Sequence, residues 1–114
     1  MKHFSVLYSM PVAGLDEWMK KSPDERKAAE ASLKGEWDAW LKEHSGAVQN
    51  TIGLGKTKRV TAKGIEDAKN GIMLSSYVEA ESSEAAAELF KDHPHLKIPG
   101  AVIEIMEANP LGGM

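Results

Sequence analysis

Four short stretches with strand-like alternation, interleaved with two capped helical stretches, constrain this chain more than any other feature. Phe4, Val6 and Tyr8 alternate with Ser5, Leu7 and Ser9, a period-two pattern that Met10-Pro11 ends. Ala47 to Leu54, Ile72 to Glu81 and Ala101 to Glu107 are read as three further strands, and Thr57 to Thr61 as a short extra strand or half of a hairpin. The first helix has a clear start: Ser22 as N-cap, Pro23 at the first position, Asp24 and Glu25 at the positive end of the dipole, and Ser22 with Glu25 as a capping box. Ala29, Leu33, Trp37, Trp40, Leu41 and His44 follow at helical spacing, and Gly46 is the stop. Ser82 caps a second, Ala-rich helix from Ser83 to about Asp92, ended by His93-Pro94. The segments 10–21 and 64–71 read as loops, the second on its Asn70-Gly71 turn pair.

The order is β-α-β-β-α-β in 114 residues, which is one domain. We expect an α+β, ferredoxin-like fold: an antiparallel sheet with two helices on one face, spanning residues 1–108, and a tail over 109–114. The first strand is expected beside the third and away from the last. One sheet face then collects Phe4, Val6, Tyr8, Ile52, Leu54, Val78 and Ile105 under the helices. The other collects His3, Ser5, Leu7, Thr51, Ser75, Tyr77, Glu104 and Met106. That second face is too apolar to be fully solvated and too polar for a plain core, so it suits two sheets meeting around a partly wet cavity. A slip of one residue in any strand would exchange its faces.

Several stretches also carry a resemblance. Val78-Glu79-Ala80-Glu81-Ser82-Ser83-Glu84-Ala85-Ala86, then Asp92-His93-Pro94-His95-Leu96, then Pro99-Gly100-Ala101-Val102-Ile103-Glu104-Ile105, together resemble the YCII-related proteins. Lys2-His3-Phe4-Ser5-Val6-Leu7-Tyr8 fits their opening strand, while 64–71 falls where DGPF-type members carry an Asp-Gly-Pro-Phe signature that this chain does not reproduce. The resemblance implies a ferredoxin-like domain that pairs into a dimeric α/β barrel. It also implies a His–Asp pair in a cleft, proposed as the active site of some members, and dehydrochlorinase or related lyase activity in a few. Those members hold a His inside the first helix, about where Glu36 or Trp37 stands here. This helix has only His44, at its end. The corner after the second helix does match, at Asp92-His93-Pro94.

Composition narrows the function. Fourteen Lys and Arg against 17 Asp and Glu give a net charge of −3, which argues against a general nucleic-acid binder. There are no cysteines, hence neither disulfides nor thiolate chemistry. No stretch has the length of a signal peptide core or a membrane span, so a cytoplasmic protein is expected, without membrane or nucleic-acid partners. Gly53-Leu54-Gly55-Lys56-Thr57 resembles the end of a phosphate-binding loop but lacks its first glycine and its following helix. The nearby Lys56, Lys58, Arg59, Lys63 and Lys69 read as a solvated loop.

The candidate catalytic residues are His93, Asp92 and His3, because imidazole titrates near neutrality and a carboxylate can orient it. The ordinary alternative for Asp92-His93-Pro94-His95 is a helix stop. A metal on His93 and His95 with His3 or Glu104 is a minor reading, and neither metal nor cofactor is expected. Ser5, Thr51, Ser75, Tyr77, His95 and Trp18 are candidate substrate contacts, with Trp18 placed to close over a pocket. Trp37 and Trp40 are read as core. The chain is thus expected to be a homodimer with a small-molecule ligand. It is either a cofactor-independent lyase- or isomerase-like enzyme working by proton transfer, or a non-catalytic binding or dimerisation module.

Overall fold

In the computed structural model, which describes residues 1–110, strand β1 (Lys2–Ser9) lies at the centre of the molecule. Its alternate side chains Phe4, Val6 and Tyr8 are wholly buried, as the period-two pattern requires. β1 pairs antiparallel with β5 (Ile72–Ala80) on one side, from Lys2 opposite Ala80 to Ser9 opposite Ile72. On the other side it pairs with β6 (Val102–Glu107), from Phe4 opposite Glu107 to Ser9 opposite Val102. β2 (Val48–Gly53) completes the sheet, whose order is β2-β5-β1-β6. The fold is therefore α+β with an antiparallel sheet, and its order is consistent with the ferredoxin-like arrangement. The expectation that β1 and the last strand lie apart is corrected: β1 separates β5 from β6 and touches both.

Helix α2 (Pro23–Glu43) begins as its sequence dictates, with the Ser22 side chain accepting from the Glu25 amide at 3.2 Å. It ends on His44, whose Nδ1–H donates to the Trp40 carbonyl at 2.8 Å while its ring stacks on Trp40 at 4.1 Å. Helix α3 (Ser83–Leu89) is capped by Ser82, which accepts from the Ala85 amide at 3.1 Å. Trp40 of α2, with Ala86 and Phe90 from α3 and its C-cap, closes the core over Phe4, Val6, Tyr8, Val48 and Val78.

Four local readings need correction. Residues Val12–Lys20 form a helix, α1, where a loop was expected. Gly14 and the preceding Pro11 mask its apolar spacing of Val12, Leu15 and Trp18. Gly64–Ala68 forms a strand, β4, paired with β3 (Thr57–Thr61) in a separate two-stranded ribbon. The ribbon lacks apolar alternation because cross-strand charge, Lys58 with Asp67 and Arg59 with Glu66, supplies its pairing instead. The second capped helix stops at Leu89, and Pro94–Lys97 coil into a separate 3-10 turn.

The fourth correction exchanges two faces. β2 runs in register at Gln49 opposite Tyr77 and again at Ile52 opposite Ser75, so Asn50 and Thr51 together face the single residue Ser76. This bulge is made at Asn50, in the left-handed region at φ 53°. Beyond it Thr51 turns under the helices, and Ile52 turns to the open face, where it is 55% exposed. A second irregularity, between Tyr8 and Ser9, leaves Met73 as the extra residue of β5.

Candidate ligand site and the histidine cluster

The sequence candidates fall into three places. His93 and His95 lie on the helix side of the sheet, 1% and 0% exposed. Their hydrogen bonds fix both tautomers. His93 Nδ1 accepts from the His95 amide at 2.9 Å, so the neutral ring carries its proton on Nε2. His95 Nε2–H donates to the Ser9 carbonyl at 2.9 Å, which leaves its Nδ1 unprotonated. Neither His93 Nε2 nor His95 Nδ1 has a well-aligned hydrogen-bond partner. Around His93 stand Trp37 at 4.2 Å, Trp40 at 4.4 Å and Tyr8 at 5.3 Å between ring centres, the two indoles edge-to-face. Such rings give a weak π acceptor for the orphaned N–H.

Burial, and then the neighbouring His95 and His44, push the His93 pKa down to about 4. Burial also lowers that of His95, against the opposing pull of the Ser9 and Val102 backbone groups. Both rings are neutral at pH 7 and closed to solvent. Asp92 is exposed at the outside of the corner, while the near side of His93 is taken by the His95 amide. The structure thus does not bring Asp92 and His93 together as an acid–base pair. It shows a helix stop built from aromatic packing. Beside it runs a chain of hydroxyls, Tyr8 to Ser76 at 2.7 Å and Ser76 to Thr51 at 2.7 Å. Burial pushes the Tyr8 phenol up to about 12, so it stays protonated.

The open face holds His3, Ser5, Ser75 and Tyr77. His3 Nδ1 is 3.7 Å from Glu79 Oε1, and its ring is 5.5 Å from that of Tyr77. Ser5 is opposite Tyr77 and Ser75 opposite Leu7, whose other neighbour is Glu104. Of the two neighbours, Tyr77 and Ser75, that a first strand beside the third offers His3, the ring meets Tyr77, and its carboxylate neighbour is Glu79, which sequence reasoning missed. The sheet separates His3 and Glu104 from His93 and His95. Among the described residues no group of three or more His, Cys, Asp or Glu could hold a metal ion.

Trp18 occupies the third place. It projects from α1 into a cavity of about 530 Å³ between α1, α2, the start of β5 and the Ile98-Pro99 segment. Met10, Leu15, Leu33, Met73 and Ile98 form apolar walls with Trp18, and Glu17, Lys21 and Glu30 supply the charge. The Lys21 ammonium lies 5.6 Å from the centre of the Trp18 ring. Met10 joins the wall because its amide donates to the Gly71 carbonyl at 2.9 Å, and Met73 because it is the extra residue of β5. No sequence signal marks Met73, since its strand alternation would place it on the open face. A hollow of similar volume beside the ribbon turn, Thr61 to Glu66, is formed by one turn alone and has no opposing wall.

These features define an α+β protein with a one-sided helical layer and an apolar cavity at one end of its sheet. No protein-family profile matches the chain, and no curated protein is detectably similar to it. Among solved structures it is similar to 5-chloro-2-hydroxyhydroquinone dehydrochlorinase from Burkholderia phenoliruptrix AC1100, in complex with 2,5-dihydroxybenzoquinone. The TM-score is 0.48 at 16% identity, over 90% of each chain. No helix among the described residues is long and apolar enough to cross a membrane.

Proposed function

We propose that this chain is a cytoplasmic homodimer of the YCII-related kind that takes a small, mostly apolar organic molecule into the cavity walled by Trp18. The observation that carries the reading is the cavity itself, about 530 Å³ with an indole and two thioethers in its wall. Pockets of this size and character suit small organic ligands. The charged residues of its lining are Glu17, Lys21 and Glu30, with no histidine, which favours binding over proton transfer there. The strand order and the matching segments after Val78 support the family part of the reading.

A second reading keeps proton-transfer chemistry, and a specific observation favours it. His3 and Glu79 are a histidine–carboxylate couple beside Tyr77 on the face a second subunit would enclose. There His3 would act as general base or acid in a lyase- or isomerase-like reaction, and Ser5 and Ser75 would contact substrate.

Titration with 8-anilinonaphthalene-1-sulfonate, followed by its fluorescence and by amide shifts, separates the two. The cavity reading expects shifts centred on Leu15, Trp18 and Leu33, and binding weakened about tenfold, roughly 1.4 kcal/mol, in Trp18→Ala. Shifts confined to His3, Ser75 and Tyr77, with Trp18→Ala unchanged, would move the site to the open face.

A further inference from the structure

The β3–β4 ribbon is joined to the sheet by chain continuity and not by strand pairing: among the described residues its two strands form a ladder with each other and with no other strand. Val60 and Ile65 are direct cross-strand partners, 73% and 75% exposed. An isolated two-stranded ribbon is marginal in water and needs a further surface to hold it. Its own body does not supply one. Among the described residues the tethers lie at the base, where Lys69 meets Asp16 at 3.5 Å and Asn70 donates to Thr57 at 3.4 Å. Ile52 and Leu54, which precede the ribbon in the chain, are also exposed, at 55% and 41%.

The whole chain has surface to spare. It exposes 8042 Å², where a compact monomer of its mass exposes about 6100 Å². Its radius of gyration is 15.9 Å, against about 13 Å for a compact domain of its length. The excess, about 1900 Å², is what one partner loses in a large homodimer interface. Charge points to the same occupant. The ribbon carries Lys56, Lys58, Arg59 and Lys63 against Glu66 and Asp67, within a chain of net charge −3. The remainder of a second copy is therefore acidic, and attracts the ribbon.

We infer that the β3–β4 ribbon is an arm that reaches onto a second copy of this chain and buries Val60 and Ile65 against it. The arm rests on the homodimer proposed above and adds to it a clamp outside the sheet face. Analytical ultracentrifugation of the full chain, with the Val60→Thr/Ile65→Thr double variant, tests it. Threonine keeps the strand propensity of the ribbon while removing its apolar surface. The expected result is a dimer of twice the 12.4 kDa chain mass whose dissociation constant rises at least about tenfold in the variant.

Because the chain has no cysteine, Val60→Cys gives a unique site for an environment-sensitive fluorophore. Its emission should shift to the blue as concentration carries the protein from monomer to dimer. An unchanged dissociation constant with a solvent-exposed label would overturn the arm and leave the dimer standing. A wild-type monomer at 100-micromolar order of concentration would overturn both.

Discussion

His93 shows how a residue type suited to catalysis can be spent on packing. Its ring is enclosed by Trp37, Trp40 and Tyr8, its Nδ1 caps the Pro94–Lys97 turn, and its pKa is held at about 4 by burial. In the unfolded chain the same ring titrates near its ordinary value of about 6.5. Between those values the unfolded state binds more protons, so stability falls as pH drops from about 6.5 toward 4 and levels off below. His95 acts in the same direction. Urea midpoints measured from pH 8 to pH 4 should therefore decline. His93→Asn keeps an acceptor for the His95 amide and removes the titration, so its decline should be shallower even if its stability at pH 8 is lower by about 2 kcal/mol. Equal slopes in the two proteins would mean that other groups set the acid sensitivity.

The elements are governed by irregular positions as much as by their regular stretches. At the end of β1 the Met10 amide bonds the Gly71 carbonyl, and a Cβ on Gly71 would lie 1.9 Å from the Met10 carbonyl oxygen. Only glycine permits that approach, which also aligns Met10 with the cavity wall. Gly71→Ala is expected to lower stability by about 2 kcal/mol or more and to disturb amide signals at Met10 and Met73; thermal unfolding with a two-dimensional amide spectrum would read both. The bulge at Asn50 is the other such position. It rotates Thr51 into the Ser76 hydroxyl chain and Ile52 out to the open face. Alternation alone assigns these two residues to the opposite faces, because a bulge changes the count by one without a fixed sequence signature. Asn50→Gly should be tolerated and Asn50→Val should cost about 1 kcal/mol, since valine resists a positive φ.

At the scale of the whole molecule, the slab of 45 × 44 × 20 Å leaves one sheet face and one ribbon uncovered. If a basic ribbon meets an acidic partner, the dimer should be weakened by salt: raising ionic strength from about 0.05 to 0.5 M shortens the screening length from roughly 14 to 4 Å. Sedimentation at both salts should show a dissociation constant several-fold higher in the second, whereas a purely apolar interface would hold or tighten. Much of the plan was legible beforehand. Caps and periodicity marked α2, α3 and the four sheet strands, because a Ser cap or an alternating strand is a local property of the chain. So was the meeting of His3 and Tyr77, which follows from central strands that pair. Helix α1, strand β4 and the cavity were not legible. The walls of the cavity over α1 come from residues far away in sequence, and the ribbon, whose two strands are neighbours in the chain, is written in charge instead of hydrophobic period. The amino-acid sequence by itself determined the order of the four sheet strands and the two capped helices, the starts of α2 and α3 and the buried side of β1, since each is set by neighbours within a few residues. Only the tertiary structure decided that Asp92 and His93 point apart, that Thr51 and Ile52 exchange faces, and that Trp18 meets Met73. Those outcomes depend on bulges, packing and register between strands distant in the chain.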